Sequence, residues 1–224
     1  MPDRLPFVVQ PMRLSDLDQV IEIERTAFSS PWSARAYRYE IQKNEHSTML
    51  VVRPAPHPGG CVGRGLRSLK RTQPGPVLGY GGFWLLVDEA HIATIAVHPE
   101  WRRRGLGELL LLTMLERAAE QDAQRATLEV RVSNTTAQSL YTRYGFSIVS
   151  LQRRYYADNN EDAFIMITPP FDSPGFVANL DHCRTQLCAS LLAGGTHARQ
   201  HLTANGLVRQ NPTDRVQSEQ SNLD

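Results

Sequence analysis

Cysteine is scarce in this 224-residue chain: Cys61, Cys183 and Cys188 are the only three. Their number is odd, no C-x-x-C pair occurs and no histidines stand at zinc spacing, so neither a disulfide framework nor a bound metal is expected. Excess charge is lacking too. With 24 basic and 23 acidic residues the net charge is +1, which removes any global electrostatic pull toward nucleic acid or a membrane surface. No stretch approaches the ~20 apolar residues that a membrane span needs. The early run Phe7-Val8-Val9 is too short, and too soon broken by Pro11, to be a signal-peptide core. These absences together point to a reduced protein of the cytoplasm.

What is present is ordinary globular material, 41% hydrophobic and 21% charged. That suffices for one well-packed domain with appendages. Phe7 to Met12 reads as a strand. Ser15 then offers an N-cap to a helix carrying Leu17, Val20, Ile21 and Ile23, and Ser33 offers one to a second helix reaching about Lys43. Thr48 to Val52 and Val77 to Val87 are strand-like. Between them, residues 53–76 hold five prolines, five glycines and five Lys/Arg with no acidic residue, the composition of a flexible insertion. Arg64, Arg67, Lys70 and Arg71 give it a weak capacity for RNA contact, but a solvated charged loop is the better account of them.

His91 to Val97 is an apolar strand, followed by a helix to about Gln121. Leu106, Leu109, Leu110, Leu111, Leu112, Met114, Leu115 and Ala118 occupy nearly the whole circumference of that helix, which predicts burial against a sheet. Arg125 to Val132 alternates, placing Leu128, Val130 and Val132 on one face and Thr127, Glu129 and Arg131 on the other. Asn134 can cap a last domain helix that Gly145 ends. Two strands follow, Phe146 to Leu151 and Ala163 to Thr168, joined by a polar, turn-like Arg153 to Asp162. The order β-α-α-β-β-β-α-β-α-β-β implies an α/β fold, a mixed sheet with helices on both faces. This single domain spans 5–170. The extension 171–224 contains a candidate helix over 177–193, and its final thirty residues read as disordered.

The segment Arg102-Arg103-Arg104-Gly105-Leu106-Gly107 opens a helix with glycines that let a ligand approach exposed backbone N–H groups, a cradle for a pyrophosphate. It lacks the Gly-Lys-Ser/Thr of a nucleotide P-loop and the third glycine of the dinucleotide fingerprint. Taken alone, it is equally consistent with a glycine-bent helix entry.

The whole run from Ile92 to Gly107 resembles the acetyl-CoA-binding signature of GNAT acetyltransferases. Leu128 to Asn134, Leu140 to Phe146, Phe28 to Ser33, Arg153 to Tyr156 and Glu161 to Met166 are similar to its RimI-type branch of ribosomal-protein alanine N-acetyltransferases. The resemblance covers about residues 5–170 and leaves out 53–76 and everything past Pro170. It implies the GNAT fold with acetyl-CoA as co-substrate. Ile95, Ala96 and Val97 would lie along the pantetheine arm, residues 102–107 around the pyrophosphate, and Asn134 against the cofactor. It further implies Glu129 as general base, Tyr141 as general acid, and the N-terminus of a ribosomal protein as partner. Trp32, Arg153 and Tyr156 are candidates for the acceptor groove.

Each residue has a plainer reading beside this one. Tyr141 lies on the apolar stripe of its helix, Glu129 could be a strand-surface charge, and Trp32 and Tyr156 could close the core edge. Two other functions stay open: acetyl transfer to a small-molecule amine or lysine side chain, and a non-catalytic acetyl-CoA- or ribosome-binding module.

Overall fold

The computed structural model describes residues 5–56 and 75–204, with side chains as far as 194. The basic cluster of the expected insertion, Cys61 and the stretch 205–224 lie outside the described residues. Chain order is β1 (Phe7–Pro11), α1 (Leu17–Ala27), α2 (Ala34–Gln42), β2 (Ser47–Pro54), β3 (Gly79–Leu86), β4 (Glu89–Val97), α3 (Leu106–Ala119), β5 (Arg125–Arg131), α4 (Thr135–Arg143), β6 (Ser147–Tyr156), β7 (Glu161–Ile167) and α5 (Pro174–Ala204). Through β7 this is the order expected from the sequence.

The described strands form one sheet in the order β1-β2-β3-β4-β5-β7-β6. Neighbours run antiparallel except β4 and β5, which are parallel and pair only over Glu89 to His91 with Arg125 to Thr127. Beyond that point the two strands part. The divergence begins where β4 carries an extra residue, Ala93, between Ile92 opposite Phe83 and Thr94 opposite Gly82. Such a bulge bends and twists its strand, and it turns β4 away from β5.

Two apolar clusters lie on the two faces, so the expected helices on both sides are found. One joins Val20, Ile23 and Tyr37 of α1 and α2 to Met49, Val51 and Tyr80. The other joins α3 to Leu50, Phe83, Leu128 and Val130, and continues into Cys183, Leu187 and Leu191 of α5. All eight apolar residues noted around α3 are buried. A helix packed on one sheet face buries only the stripe facing that sheet; α5 and α4 bury more of α3, and Arg117 and Ala119 stay exposed.

Four local expectations need correction. Ser15 caps nothing: its hydroxyl turns to the side chain of Asp16, whose carboxylate accepts from the Arg13 N–H and caps a 3-10 turn ahead of α1. The Asp16 carboxylate also lies 2.5 Å from the Arg53 guanidinium with both side chains buried, so Arg53 belongs to the core of the sheet and not to the insertion. Arg153 to Tyr156 are part of β6. Their polar, turn-like character reflects a bulge between Gln152 and Tyr156, where Arg154 takes φ 52° and its N–H bonds the Asp162 carboxylate at 2.8 Å. Finally, α5 starts three residues before the expected helix and continues to Ala204, into the stretch read as disordered.

Candidate active site

Where β4 leaves β5, a cleft of about 750 Å³ opens between the β4 edge, the start of α3 and the length of α4. The antiparallel ladder decides which β4 groups face it. His98 N–H bonds Leu78 O, so pairs in that phase, including Ala96 with Tyr80, exchange hydrogen bonds. Ile95 and Val97 fall in the opposite phase and direct their N–H and C=O groups away from β3. These groups point into the gap left by the splay. The Val97 carbonyl receives the Arg102 guanidinium at 3.2 Å, while the N–H groups face the cleft.

The segment expected as a cradle takes a left-handed turn. Gly105 is the residue ahead of α3 with φ 78°, and Arg103 has φ 60°. Arg102, Arg103, Gly105, Leu106 and Gly107 line the cleft. Arg104 does not: its guanidinium lies over the Trp101 ring, 4.7 Å from the centroid, a cation–π contact. The bare first turn of α3 with two arginines beside it suits an anionic group such as a diphosphate. Asn134 lines the same cleft and caps α4, accepting from the Ala137 N–H at 3.1 Å.

Tyr141 is on the cleft wall, 6% exposed and tilted against Phe146 at 5.8 Å. Burial pushes its phenol well above the usual range, and the neighbouring Tyr156 adds to that. It is therefore held protonated. Glu129 is not among the cleft-lining residues. As strand alternation requires, it stands on the opposite face, the one that α1 and α2 cover. There His91 Nε2 is 3.3 Å from its Oε2, and the Tyr155 phenol bonds to it and is raised first by burial, then by the Glu129 charge. Tyr156 spans the two sides. Its phenol, pushed up to about 12 chiefly by burial, feels the Glu129 charge, and Tyr141 in turn feels Tyr156.

The family model described as the acetyltransferase (GNAT) family matches residues 17–146. The chain belongs to the GNAT acetyltransferase family. As such it is an acetyltransferase, with the mixed α/β sheet of that family. It is 39% identical over 158 residues to a Bacillus subtilis (strain 168) protein provisionally named ribosomal protein bS18-alanine N-acetyltransferase, a match covering 70% of this chain and 92% of the relative. The crystal structure of the ribosomal-protein-S18-alanine N-acetyltransferase from Escherichia coli superimposes with a TM-score of 0.59 at 27% identity, covering 75% of this chain and 96% of that one. Arabidopsis thaliana NAA60, solved in complex with acetyl-CoA, shares the fold at 15% identity and a TM-score of 0.60, over 75% of this chain and 99% of that one.

The remaining candidates of this GNAT acetyltransferase separate. Trp32 is on the α1–α2 loop, stacked on Trp84 at 5.8 Å, and Trp84 stacks in turn on His91 at 5.6 Å, each pair within 10° of parallel. This aromatic column leads to Glu129. The loop is fixed from beneath by Glu24, 2% exposed, which accepts from the Trp32 N–H and the Tyr37 phenol at 2.7 Å each and from the Tyr80 phenol. Tyr156 lies under the Arg131 guanidinium, 3.8 Å from the ring centroid. Arg153 is exposed on β6 and does not line the cleft.

Sequence reasoning passed over His91, Trp84, Tyr155 and Glu24. His91 and Trp84 carried a usable signal, being polar or amphipathic positions inside otherwise apolar strands. Tyr155 adjoins a residue already singled out, and only the β6 bulge decides which phenol meets Glu129.

Proposed function

We propose that this enzyme transfers the acetyl group of acetyl-CoA to the N-terminal α-amine of a ribosomal protein, an alanine in the relatives' acceptor. The observation that carries the reading is the splay. It leaves the Ile95 and Val97 N–H groups facing one gap, with Tyr141 on its α4 side and Glu129 on the α1–α2 side. The residues fit the donor: an anion-binding turn at Gly105 to Gly107, and a bared strand edge to pair with an extended amide arm.

When bound, acetyl-CoA supplies an activated thioester. An α-amine has a pKa near 7.7–8, so part of it is protonated at neutral pH, and Glu129 removes the surplus proton directly or through one water. The N–H of Val97 is the donor for charge developing on the carbonyl oxygen. Tyr141, held protonated by burial, gives its proton to the departing thiolate. No covalent enzyme intermediate is needed.

A protein N-terminus is favoured over a bulkier approach by the way two loops close on each other. Ser29 of the α1–α2 loop bonds Asp158 of the β6–β7 turn, and Arg131 at the end of β5 holds Asp158 at 2.8 Å and Glu161 at 3.0 Å. The two loops on the Glu129 side are thus tied to each other, a fixed boundary for an extended chain end.

Mass spectrometry tests this reading. A peptide with the N-terminal sequence of that ribosomal protein is incubated with enzyme and acetyl-CoA, beside the same peptide blocked at its α-amine. One added acetyl group on the free peptide alone is the expected result. Acetylation of a lysine or of small amines instead would move the acceptor assignment. Acetyl-CoA binding without any transfer would point to a sensor.

A further inference from the structure

The helix α5 lies beyond residue 146, where the family match ends, yet it packs on the two helices that wall the cleft. A Cβ added at Gly105 would sit 3.1 Å from Leu187 Cδ1 and 3.2 Å from Leu191 Cδ2. Both leucines are 3% exposed. The left-handed turn that presents the anion-binding N–H groups therefore rests directly on α5. One helical turn and more away, Asn179 Nδ2 donates to Arg143 O at 3.0 Å and Cys183 Sγ approaches the same carbonyl at 3.5 Å. Arg143 ends α4, where carbonyls have no partner within the helix. Its side chain returns across the cleft mouth to Glu108 in the first turn of α3, at 2.8 Å, and Glu108 also accepts from the Tyr144 phenol at 3.0 Å. Arg143 and Glu108 both line the cleft.

We propose that α5 is a clamp that sets the cofactor cradle, with Leu187 and Leu191 as positioning residues for the Gly105 turn and Asn179 as one for the end of α4. The proposal rests on the reading of the cleft as the acetyl-CoA site. A glycine turn with φ 78° leading into a helix has no side chain of its own to hold it, and its neighbours Arg102 and Arg104 are committed to Val97 O and Trp101. The packing of α5 supplies the missing restraint. Docking of α5 and binding at the cradle then favour the same geometry, and linkage makes each strengthen the other.

The full-length chain is used for the test. In Leu187→Ala/Leu191→Ala, the acetyl-CoA Kd from calorimetry is expected to rise about fivefold or more. kcat at saturating acetyl-CoA and the KM for the peptide are expected to stay near wild type. Val20→Ala, in the core of the opposite face, is the control: it lowers the melting temperature and leaves the Kd alone. Should the double variant not fold, hydrogen exchange on the wild-type chain gives the reciprocal measurement, since the amides of α5 around 183–191 must slow when acetyl-CoA is added. An unchanged Kd in a folded double variant, or α5 exchange indifferent to acetyl-CoA, overturns the clamp. If the wild-type chain binds no acetyl-CoA, the reading of the cleft fails and the clamp with it; binding with an indifferent α5 sinks the clamp alone.

Discussion

His91 Nε2 lies 3.3 Å from the Glu129 carboxylate while the His91 ring is stacked on Trp84. The stack fixes the plane of the imidazole, and the imidazole with the Tyr155 phenol fixes the carboxylate. β5 is held at Glu129 by β7, but β4 and β5 cease to pair at His91 and Thr127, so β4 reaches Glu129 through the His91 side chain. The side chains take over where the ladder stops.

Glu129→Gln is expected to lower kcat by about 10²-fold, the scale of lost general-base catalysis, with the acetyl-CoA Kd unchanged. His91→Phe keeps a ring against Trp84 and removes the nitrogen facing Glu129, so a smaller loss is expected. Steady-state kinetics beside calorimetry separates the two; a Glu129→Gln enzyme of full activity rules out the base.

Tyr141→Phe retains the contact with Phe146 and deletes only the hydroxyl. A fall in kcat of about 10²-fold with an unaltered melting temperature is expected. A loss of stability with little change in turnover would make Tyr141 a core residue.

Glu24→Ala leaves the Tyr37 and Tyr80 phenols and the Trp32 N–H without their shared acceptor, at a cost of ~3 kcal/mol by urea unfolding. Burial raises the Glu24 pKa above 4.5 against the opposing hydrogen bonds from Trp32 and Tyr37. A raised folded-state pKa means the contribution is fully present below the unfolded value and is lost as pH rises through the folded one. Wild type measured against Glu24→Gln should therefore lose relative stability as pH climbs from about 4.5, then level off. A difference that grows in favour of wild type over that window would contradict the assignment.

Arg131→Ala should raise the peptide KM severalfold and spare the acetyl-CoA Kd, because Arg131 ties the two loops on the acceptor side only. The tie is resistant to acid. Hydrogen bonds from Ser133, then from Arg131, hold the Glu161 carboxyl down at about 2, and those from Ser29 and Arg131 hold Asp158 below its usual value. Depressed pKa values mean the tie is intact above the ordinary carboxylate range and fails only as pH falls through the depressed values. Carboxyl chemical shifts that titrate near 4 for Glu161 would refute it.

The order of strands and helices through Ile167 was legible because hydrophobic period, N-cap residues at Ser33 and Asn134, and the stop at Gly145 are local codes. The left-handed glycine turn ahead of α3 was legible for the same reason, whereas roles for Glu129 and Tyr141 were implied by the resemblance alone. Two local signals misled. Ser15 looks like a cap but Asp16 is better placed, and a bulge inside β6 has the composition of a turn.

Chain chemistry by itself determined which residues alternate, which helix is apolar all round and where glycine must turn the backbone, since these depend on neighbours a few positions away. Only the tertiary structure decided what those features meet. The splay at Ala93, the Trp32-Trp84-His91 column beside Glu129, the placing of Glu129 and Tyr141 on two sides of the sheet, and the seating of Leu187 and Leu191 on Gly105 all join residues from distant segments. No local pattern encodes such contacts, because they are selected by the packing of whole elements against one another.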